Sequence, residues 1–350
     1  MSFELRRARW LGVSGVVLLV FLGVATLLPV PYLRLSPGPT FNTIGSFDGQ
    51  AVIKISDRTT YPTSGHLDML TVLESGGPFG NLYLGQVLQA WRDPHSQVLP
   101  REAYYPDQTS PDQVAAQNQA AFTDSQSEAV AAALHHLNIP VTEEVSVVAV
   151  SAGAPADGKL KVDDRIVSVG TTKVSSPADV AKALQGKHPG DAIPIVVERN
   201  GKALTVTVVA GAAPGDPNRP FLGVVTSLTY VPPFPITFTL QDVGGPSAGT
   251  MFTLGIIDML TPGALNGGHF VAGTGTMDAD GDVGAIGGIQ QKMAGARDAG
   301  ATYFLAPKAN CSDVVGHVPA GLTVAAVSTL DEALAALQDF NTGKPAPTCS

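Results

Sequence analysis

The hydrophobic and polar positions along the chain separate one long apolar run from a series of shorter patterns. Residues 10–30 form a run of 21 positions without a charge, which at about 1.5 Å per residue is long enough to cross the roughly 30 Å core of a bilayer. Arg6, Arg7 and Arg9 precede the run, and this positive charge favours a cytoplasmic N-terminus. The pattern therefore predicts a transmembrane anchor.

A cleaved signal peptide is the alternative for the same run. The run is long for the apolar part of a signal peptide and lacks a clean small-x-small cleavage site, which favours an uncleaved anchor. We expect a single-pass protein of the cell membrane whose domains lie outside the cytoplasm.

Shorter patterns follow the apolar run. β-Branched and apolar stretches punctuated by Pro and Gly predict strands. A helical pattern then predicts two helices over roughly 111 to 137, with Ser125 and Glu128 at the spacing of a second helix start. These patterns predict a β-rich and helical region between the run and the next domain.

The middle of the chain changes to short strands with a single helix, which Ser176 begins and Gly186 ends. Residues 147–186 resemble the PDZ domains of bacterial proteases, with a Pro-Ala turn, the sequence LKVDDRIVSVG and the groove helix. The resemblance departs at Asp163, where the family usually has glycine. It implies a PDZ-like domain that binds peptides along an open strand edge.

Charge and composition limit the partners and cofactors. Lys and Arg total 21 against 30 Asp and Glu, for a net charge of −9, and no basic stripe that would neutralise phosphates is present, so nucleic acid is not expected. His135 and His136 have no further ligands at metal spacing, and the sequence DADGD at Asp278–Asp282 is typical of a solvated turn. We expect no metal and no other cofactor.

The candidate chemistry centres on a serine. Ser247 follows Gly245 and Pro246 and precedes an apolar helical pattern, which suits a nucleophile at a helix start. A serine hydroxyl needs a nearby base to take its proton. The G-x-S-x-G match allows an α/β-hydrolase triad with His317 and an acid of the DADGD sequence, although the short remainder of the chain leaves little room for a hydrolase core.

Lys292 is the second candidate base. Helix periodicity places Ile289 and Ala296 on its face, so the lysine rises from an apolar stripe. Burial there would lower its pKa from about 10.4 toward the value of about 7 to 8 that a general base requires. A stem lying on apolar surface with its amine in water is the alternative.

Three blocks in the last third of the chain look like the proteolytic domain of Lon proteases: GGPSAGTMFTLGIIDMLT, VAGTGTMDADGDVGAIGGIQQKMAGARDAGA and YFLAPKANC. The blocks follow one another in the family's order and spacing. The resemblance implies that Ser247 is the nucleophile, that Lys292 is the general base and that Thr274 helps to hold the lysine. It also implies that Gly245 and Pro246 shape the approach to the serine.

No G-x-x-x-x-G-K-[ST] phosphate loop occurs in the chain, so ATP is not expected. The whole order resembles the membrane-anchored PDZ–Lon proteases of the YlbL type. This resemblance implies an ATP-independent serine endopeptidase that cuts unfolded or flexible extracytoplasmic proteins selected by the PDZ-like domain. It also implies a homo-oligomer, since Lon catalytic domains form hexamers. A non-catalytic scaffold whose PDZ-like domain binds peptides is the alternative.

Cys311 and Cys349 are the two cysteines of the chain. An oxidising exterior would let them pair, and two unrelated cysteines are the alternative. The expected fold class is multi-domain α/β. Its expected order is a cytoplasmic N-terminus (1–9), a transmembrane helix (10–30), a β-rich and helical region (31–124), a PDZ-like domain (125–211), a linker (212–220), a Lon-type α+β proteolytic domain (221–341) and a tail (342–350).

Overall fold

The computed structural model describes residues 2–105, 111–240 and 243–349, and the side chains in these ranges except those of 2–6, 8, 9 and 113. The helices are α1 (Ser2–Ala25), α2 (Leu84–Ala90), α3 (Arg101–Tyr104), α4 (Pro111–His136), α5 (Pro177–Ala183), α6 (Gly249–Leu260), α7 (Ile289–Asp298), α8 (Cys311–Val314) and α9 (Leu330–Thr342). The strands are β1 (Pro29–Val30), β2 (Tyr32–Asn42), β3 (Ser46–Phe47), β4 (Gln50–Ala51), β5 (Ile53–Ile55), β6 (His66–Gly76), β7 (Leu82–Tyr83), β8 (Gln97–Pro100), β9 (Thr142–Val150), β10 (Arg165–Val169), β11 (Thr172–Lys173), β12 (Ala192–Arg199), β13 (Lys202–Val209), β14 (Gly211–Ala213), β15 (Asp216–Phe221), β16 (Val224–Val231), β17 (Ile236–Phe238), β18 (Phe270–Gly273), β19 (Thr276–Met277), β20 (Val283–Gly284), β21 (Tyr303–Pro307) and β22 (Thr323–Val327).

The chain divides into two compact units. Unit 1 combines the residues up to Ala133 with those from Ile236 onward, and unit 2 is Leu134–Pro235. The sequence-based order treats 31–124 as a region of its own. In the structure its strands β2 and β6 lie in the same sheet as β18, β21 and β22.

Unit 1 is built on a six-stranded sheet in the order β22-β21-β18-β6-β2-β8. The strands β6, β18, β21 and β22 are parallel, whereas β2 is antiparallel to both of its neighbours. Parallel strands buried by helices on their faces are typical of α/β folds. The sheet therefore brings together segments that lie about two hundred positions apart in the sequence, such as Asp68 beside Ala272.

Helix α7 packs on this sheet through one apolar face. Ile289, Met293 and Ala296 are buried with Leu70 of β6 and Phe304 of β21, and their spacing of four and three residues places them on the same side of the helix. Burying such side chains stabilises the fold by about 1.5–3 kcal/mol for each large one. This packing fixes the direction in which all the remaining side chains of α7 point.

Unit 2 is a mainly antiparallel sheet in the order β13-β12-β10-β9-β16, with β11 paired to β10. Along β12, Ile193, Ile195 and Val197 are buried and alternate with more exposed positions, as the two-residue period of a strand requires. Asp163 has a φ of 67°. A left-handed residue explains why glycine is the usual choice there, and aspartate is among the residues that tolerate it.

The predicted transmembrane helix is wrong. Across residues 2–105, 111–240 and 243–349, none of the helices combines the length with the apolar character that a membrane crossing needs. The end of the predicted span is part of the folded unit instead of a continuing helix: α1 ends at Ala25, and β1 pairs with β7. The carbonyls of Thr26 and Leu28 accept hydrogen bonds from the N–H groups of Gly85 and Leu84.

Two further sequence-based expectations depend on that helix. The predicted fold class is wrong in this element, while the rest of the chain has the multi-domain α/β make-up. The predicted location as a single-pass protein of the cell membrane is wrong for the same reason.

Candidate active site

Ser247 lies where a loop of unit 1 enters α6, which begins at Gly249. Gly245 has a φ of 87°, a left-handed conformation that glycine adopts without strain, and its N–H donates to Asn118 O at 2.8 Å. Gly249 packs so closely on Met277 that a Cβ would lie 2.7 Å from the backbone nitrogen of that residue. The left-handed backbone at Gly245 and the close packing at Gly249 therefore explain why glycine occupies both positions.

Helix α4 holds the loop before the serine. The sequence predicts a second helix starting near Ser125, but the structure has one continuous helix, Pro111–His136. Ser125 is 2% exposed, and its Oγ donates to Pro246 O at 3.0 Å. The serine that looks like a helix cap therefore fixes the carbonyl next to Ser247.

Lys292 lies on α7 and is 3% exposed. Its Nζ is 2.6 Å from Ser247 Oγ and 3.0 Å from Thr274 Oγ1. Burial lowers the pKa of Lys292 from 10.5 to about 7, and no charged side chain among the described residues contributes to this change. A substantial fraction of the amine is therefore uncharged near neutral pH.

Thr274 connects the lysine to the backbone of the serine. It follows β18 and is fully buried, its N–H donates to Leu305 O, and its Oγ1 donates to Ser247 O at 2.9 Å. The same carbonyl accepts the N–H of Gly275 at 3.0 Å. Because the Thr274 hydroxyl proton is used in this way, its oxygen is free to accept from Lys292 Nζ.

This arrangement has the parts of a nucleophile and base. A neutral amine within 3 Å of a hydroxyl can take its proton, and an uncharged lysine requires the burial that α7 provides. The structure thus brings together Ser247, Lys292 and Thr274, with Gly245 and Pro246 in the adjoining loop.

The residues of the triad alternative make local contacts within their own turns. His317 is exposed, and its Nδ1 is 3.2 Å from the carbonyl of Val315 in its own turn. Asp278 accepts the backbone N–H groups of Asp280 and Asp282, which is the geometry of a tight turn. In the described ranges, no group of three or more His, Cys, Asp and Glu side chains is arranged to hold a metal ion.

The two cysteines form a disulfide bond. Cys311 is the first residue of α8, and its Cα lies 5.1 Å from that of Cys349. The N–H of Ala326 in β22 donates to Pro347 O at 2.8 Å. These contacts tie the C-terminal tail to unit 1.

A cavity of about 720 Å³ opens beside the serine and the lysine. Its walls come from the loop 243–248, from the start of α7, from β2 and β6, and from two tyrosines. Glu74 is the one carboxylate among the described lining residues. The sequence analysis missed this wall because β6 reaches the site only through long-range strand pairing.

Unit 2 has a groove of about 430 Å³ between α5 and the segment from Arg219 to Thr226. Strand β16 forms one end of the sheet order, so one of its edges is open to an added strand. The sequence-based domain order places Arg219 and Pro220 of this groove in the linker and residues 221–226 in the Lon-type domain. The β-branched residues of Val224–Val231 were the available signal for a strand.

Comparison with known families identifies both regions. The family described as PDZ domain matches residues 117–209, and the family described as Lon protease (S16) C-terminal proteolytic domain matches residues 241–339. Ser247, Thr274 and Lys292 fall within the second range. The predicted PDZ-like and Lon-type domains are confirmed.

Two curated relatives show the same similarity. Lon protease 2 of Herpetosiphon aurantiacus is 41% identical over 93 residues, which are 26% of this chain and 11% of that protein. Lon protease 1 of Bacillus subtilis is 39% identical over 93 residues, which are 26% of this chain and 12% of that protein. The chain thus spans only a small part of the length of these relatives.

Solved structures give weaker similarities. The PDZ domain of an SdrC-like protein from Listeria innocua is 22% identical with a TM-score of 0.22, covering 24% of this chain and 92% of that one. A protein from Geobacillus thermodenitrificans is 27% identical with a TM-score of 0.22, covering 23% and 94%.

Proposed function

We propose that this chain, which contains a PDZ domain and the proteolytic domain of a Lon-type serine peptidase, is a serine endopeptidase that needs no ATP. The observation that carries the proposal is the 2.6 Å contact between Lys292 Nζ and Ser247 Oγ at a buried position where the pKa of the lysine is about 7. A lysine with this pKa is matched to general-base work at neutral pH. The expected substrates are unfolded or flexible proteins, because the chain carries no recognisable phosphate loop for a motor.

The proposed reaction begins with neutral Lys292. Its Nζ takes the proton of Ser247 Oγ as the oxygen bonds to the substrate carbonyl carbon. The ammonium then gives this proton to the leaving amine nitrogen as the C–N bond breaks, leaving an ester on Ser247. A water molecule attacks the ester while Lys292 again accepts a proton, and the proton returns to Ser247 Oγ as the acid product leaves.

The backbone around Ser247 supports this reaction. Helix α6 begins two residues after Ser247, and the dipole at the start of a helix favours negative charge. This end of α6 is suited to stabilise the oxyanion of the tetrahedral intermediate. Thr274 is a positioning residue, since it holds both the lysine amine and the Ser247 carbonyl.

The experiment compares cleavage of an unfolded protein by the wild type, Ser247→Ala and Lys292→Ala. Lys308→Ala is the matched control, because Lys308 is an exposed lysine of the same unit. We expect both site variants to lose cleavage and the control to retain it. Equal cleavage by all four proteins would overturn the proposal, and retained activity in Lys292→Ala with loss in His317→Ala would favour a hydrolase triad.

The PDZ domain is proposed to select substrates. An extended peptide would pair with the open edge of β16 and place its side chains in the groove beside α5. Ala181→Arg fills this groove, and Ala203→Arg puts the same side chain on exposed β13 as a control. We expect Ala181→Arg alone to raise the KM for protein substrates. Bound peptide without cleavage by the wild type would instead indicate a scaffold.

We also propose a homo-oligomer, with a hexamer as the assembly to test. Light scattering after size-exclusion chromatography measures the mass directly. A monomer under the conditions of full cleavage would overturn this part of the proposal.

A further inference from the structure

The carboxylate of Glu74 lies in the wall of the cavity beside Ser247. Its Oε2 accepts the hydroxyl of Tyr105 at 2.8 Å, but its Oε1 is buried and has no hydrogen-bond partner in the described part of the chain. Buried acceptors are nearly always paired, so an unpaired one calls for a specific reason. Asp258 and Gln291 also have such an atom, yet of the three only Glu74 lines the cavity beside Ser247.

The strand that carries Glu74 packs against the start of the helix that carries Lys292. A Cβ added to Gly288 would lie 2.8 Å from Val72 Cγ2 of β6, and the carbonyl of Gly288 accepts the N–H of Lys292. Glu74 is two residues further along β6, which is about 7 Å on the same face of the strand. Ser247, Lys292 and Glu74 line the same cavity, so a substrate held at Ser247 can place one of its side chains beside Glu74.

The carboxylate of Glu74 has no part in lowering the pKa of Lys292. Lys292 has a lowered pKa from burial alone, without a contribution from this carboxylate, so Glu74 does not hold the lysine in its charged form. Burial raises the pKa of Glu74 itself, against the hydrogen bond from Tyr105. A cation placed at Oε1 would restore the interaction that burial removes.

We propose that Glu74 selects substrates that place a lysine or arginine side chain in this cavity, where the cationic group donates to Oε1. This inference rests on the proposed peptidase function. The cavity suits a long basic side chain, because Leu35, which pairs with Glu74 across the strands, and Val72 supply apolar walls for the stem and Glu74 supplies the charge at its end. With Oε2 already engaged by Tyr105, Oε1 is the oxygen left for the substrate.

The test first measures which residues are preferred around the cut. The wild type is given a peptide library randomised at each position from four before to four after the scissile bond, and we expect lysine or arginine to be enriched at one position. Matched peptides with lysine or norleucine at that position then give kcat/KM. A charge-assisted hydrogen bond predicts that the wild type prefers lysine by about 10- to 100-fold.

The key variant is Glu74→Gln, which keeps an acceptor for Tyr105 and removes the charge. We expect it to lose the preference for lysine while its kcat/KM on the norleucine peptide stays within about threefold of the wild type. Glu102→Gln makes the same change at an exposed glutamate outside the cavity, and it should keep the preference. A library without basic enrichment, or a preference that survives in Glu74→Gln, would overturn the inference.

A binding measurement separates this inference from the proposed reaction. In a Ser247→Ala background, fluorescence anisotropy gives the Kd of the lysine and norleucine peptides, first with Glu74 intact and then with Glu74→Gln added. Tighter binding of the lysine peptide that depends on Glu74 supports the inference even if the wild type cleaves nothing. Equal binding of both peptides overturns it even if the wild type cleaves well.

Discussion

Replacing Lys292 with methionine is expected to stabilise unit 1 at neutral pH. The fall in the pKa of Lys292 from 10.5 to about 7, at about 1.4 kcal/mol per pKa unit, corresponds to roughly 5 kcal/mol of cost for holding the charged amine in the folded state. Methionine fills a similar volume without a charge. It forfeits the contacts with Ser247 and Thr274, worth about 1 kcal/mol each. The expected net gain is therefore about 3 kcal/mol.

The sign of the pH dependence follows from the lowered pKa. Well below pH 7 the lysine is protonated in both states and the wild type bears the full cost, whereas at pH 7 about half of the folded molecules have released the proton and the wild type still bears most of the cost. Between pH 7 and 10.5 the folded state releases its proton while the unfolded state keeps it, so the wild type gains about 1.4 kcal/mol per pH unit. The advantage of Lys292→Met should therefore disappear near about pH 9.

Urea unfolding from pH 6 to pH 10 measures this difference. Hydrogen exchange at the backbone amides of the six-stranded sheet, measured across the urea series, follows the unfolding of unit 1 alone. Lys308→Met is the control, because Lys308 is exposed and its replacement should leave the free energy of unfolding nearly unchanged. A Lys292→Met variant that is less stable than the wild type at pH 6, or a difference that does not change with pH, would refute the reasoning.

Three further outcomes are expected. Because only the neutral amine of Lys292 accepts a proton, kcat/KM should fall about tenfold per pH unit below a pKa of about 7 and level off above it; a profile flat from pH 5 to 8 would contradict this. Thr274→Val keeps the shape but removes both hydroxyl contacts, so kcat should drop at least about tenfold with KM nearly unchanged, and an unaltered kcat would remove its positioning role. Replacing Cys311 and Cys349 by serine opens a link across 38 positions and should lower the free energy of unfolding by about 2–4 kcal/mol relative to the oxidised wild type. Urea denaturation measures this, with the reduced wild type expected to match the variant; a variant as stable as the oxidised wild type would show that the disulfide contributes nothing.

The sequence was most informative where chemistry and local pattern coincide. The apolar face around Lys292 is a property of one helix, and the small residues around Ser247 follow from one tight approach, so both are visible in short stretches. The structure places these two side chains and Thr274 within hydrogen-bond distance. Their catalytic roles stay predictions until the variants are measured.

The sequence alone could not show which distant segments of the chain contact one another. A 21-residue apolar run predicts a membrane helix by length and hydropathy alone, but β1 at its end pairs with β7 more than fifty positions away. Ser125 has the spacing of a helix cap, yet its hydroxyl bonds Pro246 O, 121 positions away. The strand that carries Glu74, β6, reaches the site through its pairing with β2 and β18. In each case a tertiary contact decided what a local pattern could not.

The most direct test of the central claim is the rate at which a small serine-directed fluorophosphonate modifies Ser247 between pH 5 and pH 9. If the neutral amine of Lys292 activates this hydroxyl, the rate rises with pH to a plateau, with a midpoint at about 7. Lys292→Met should then react at least about a hundredfold more slowly. A rate that is independent of pH, or a Lys292→Met variant that is modified as fast as the wild type, would contradict the account.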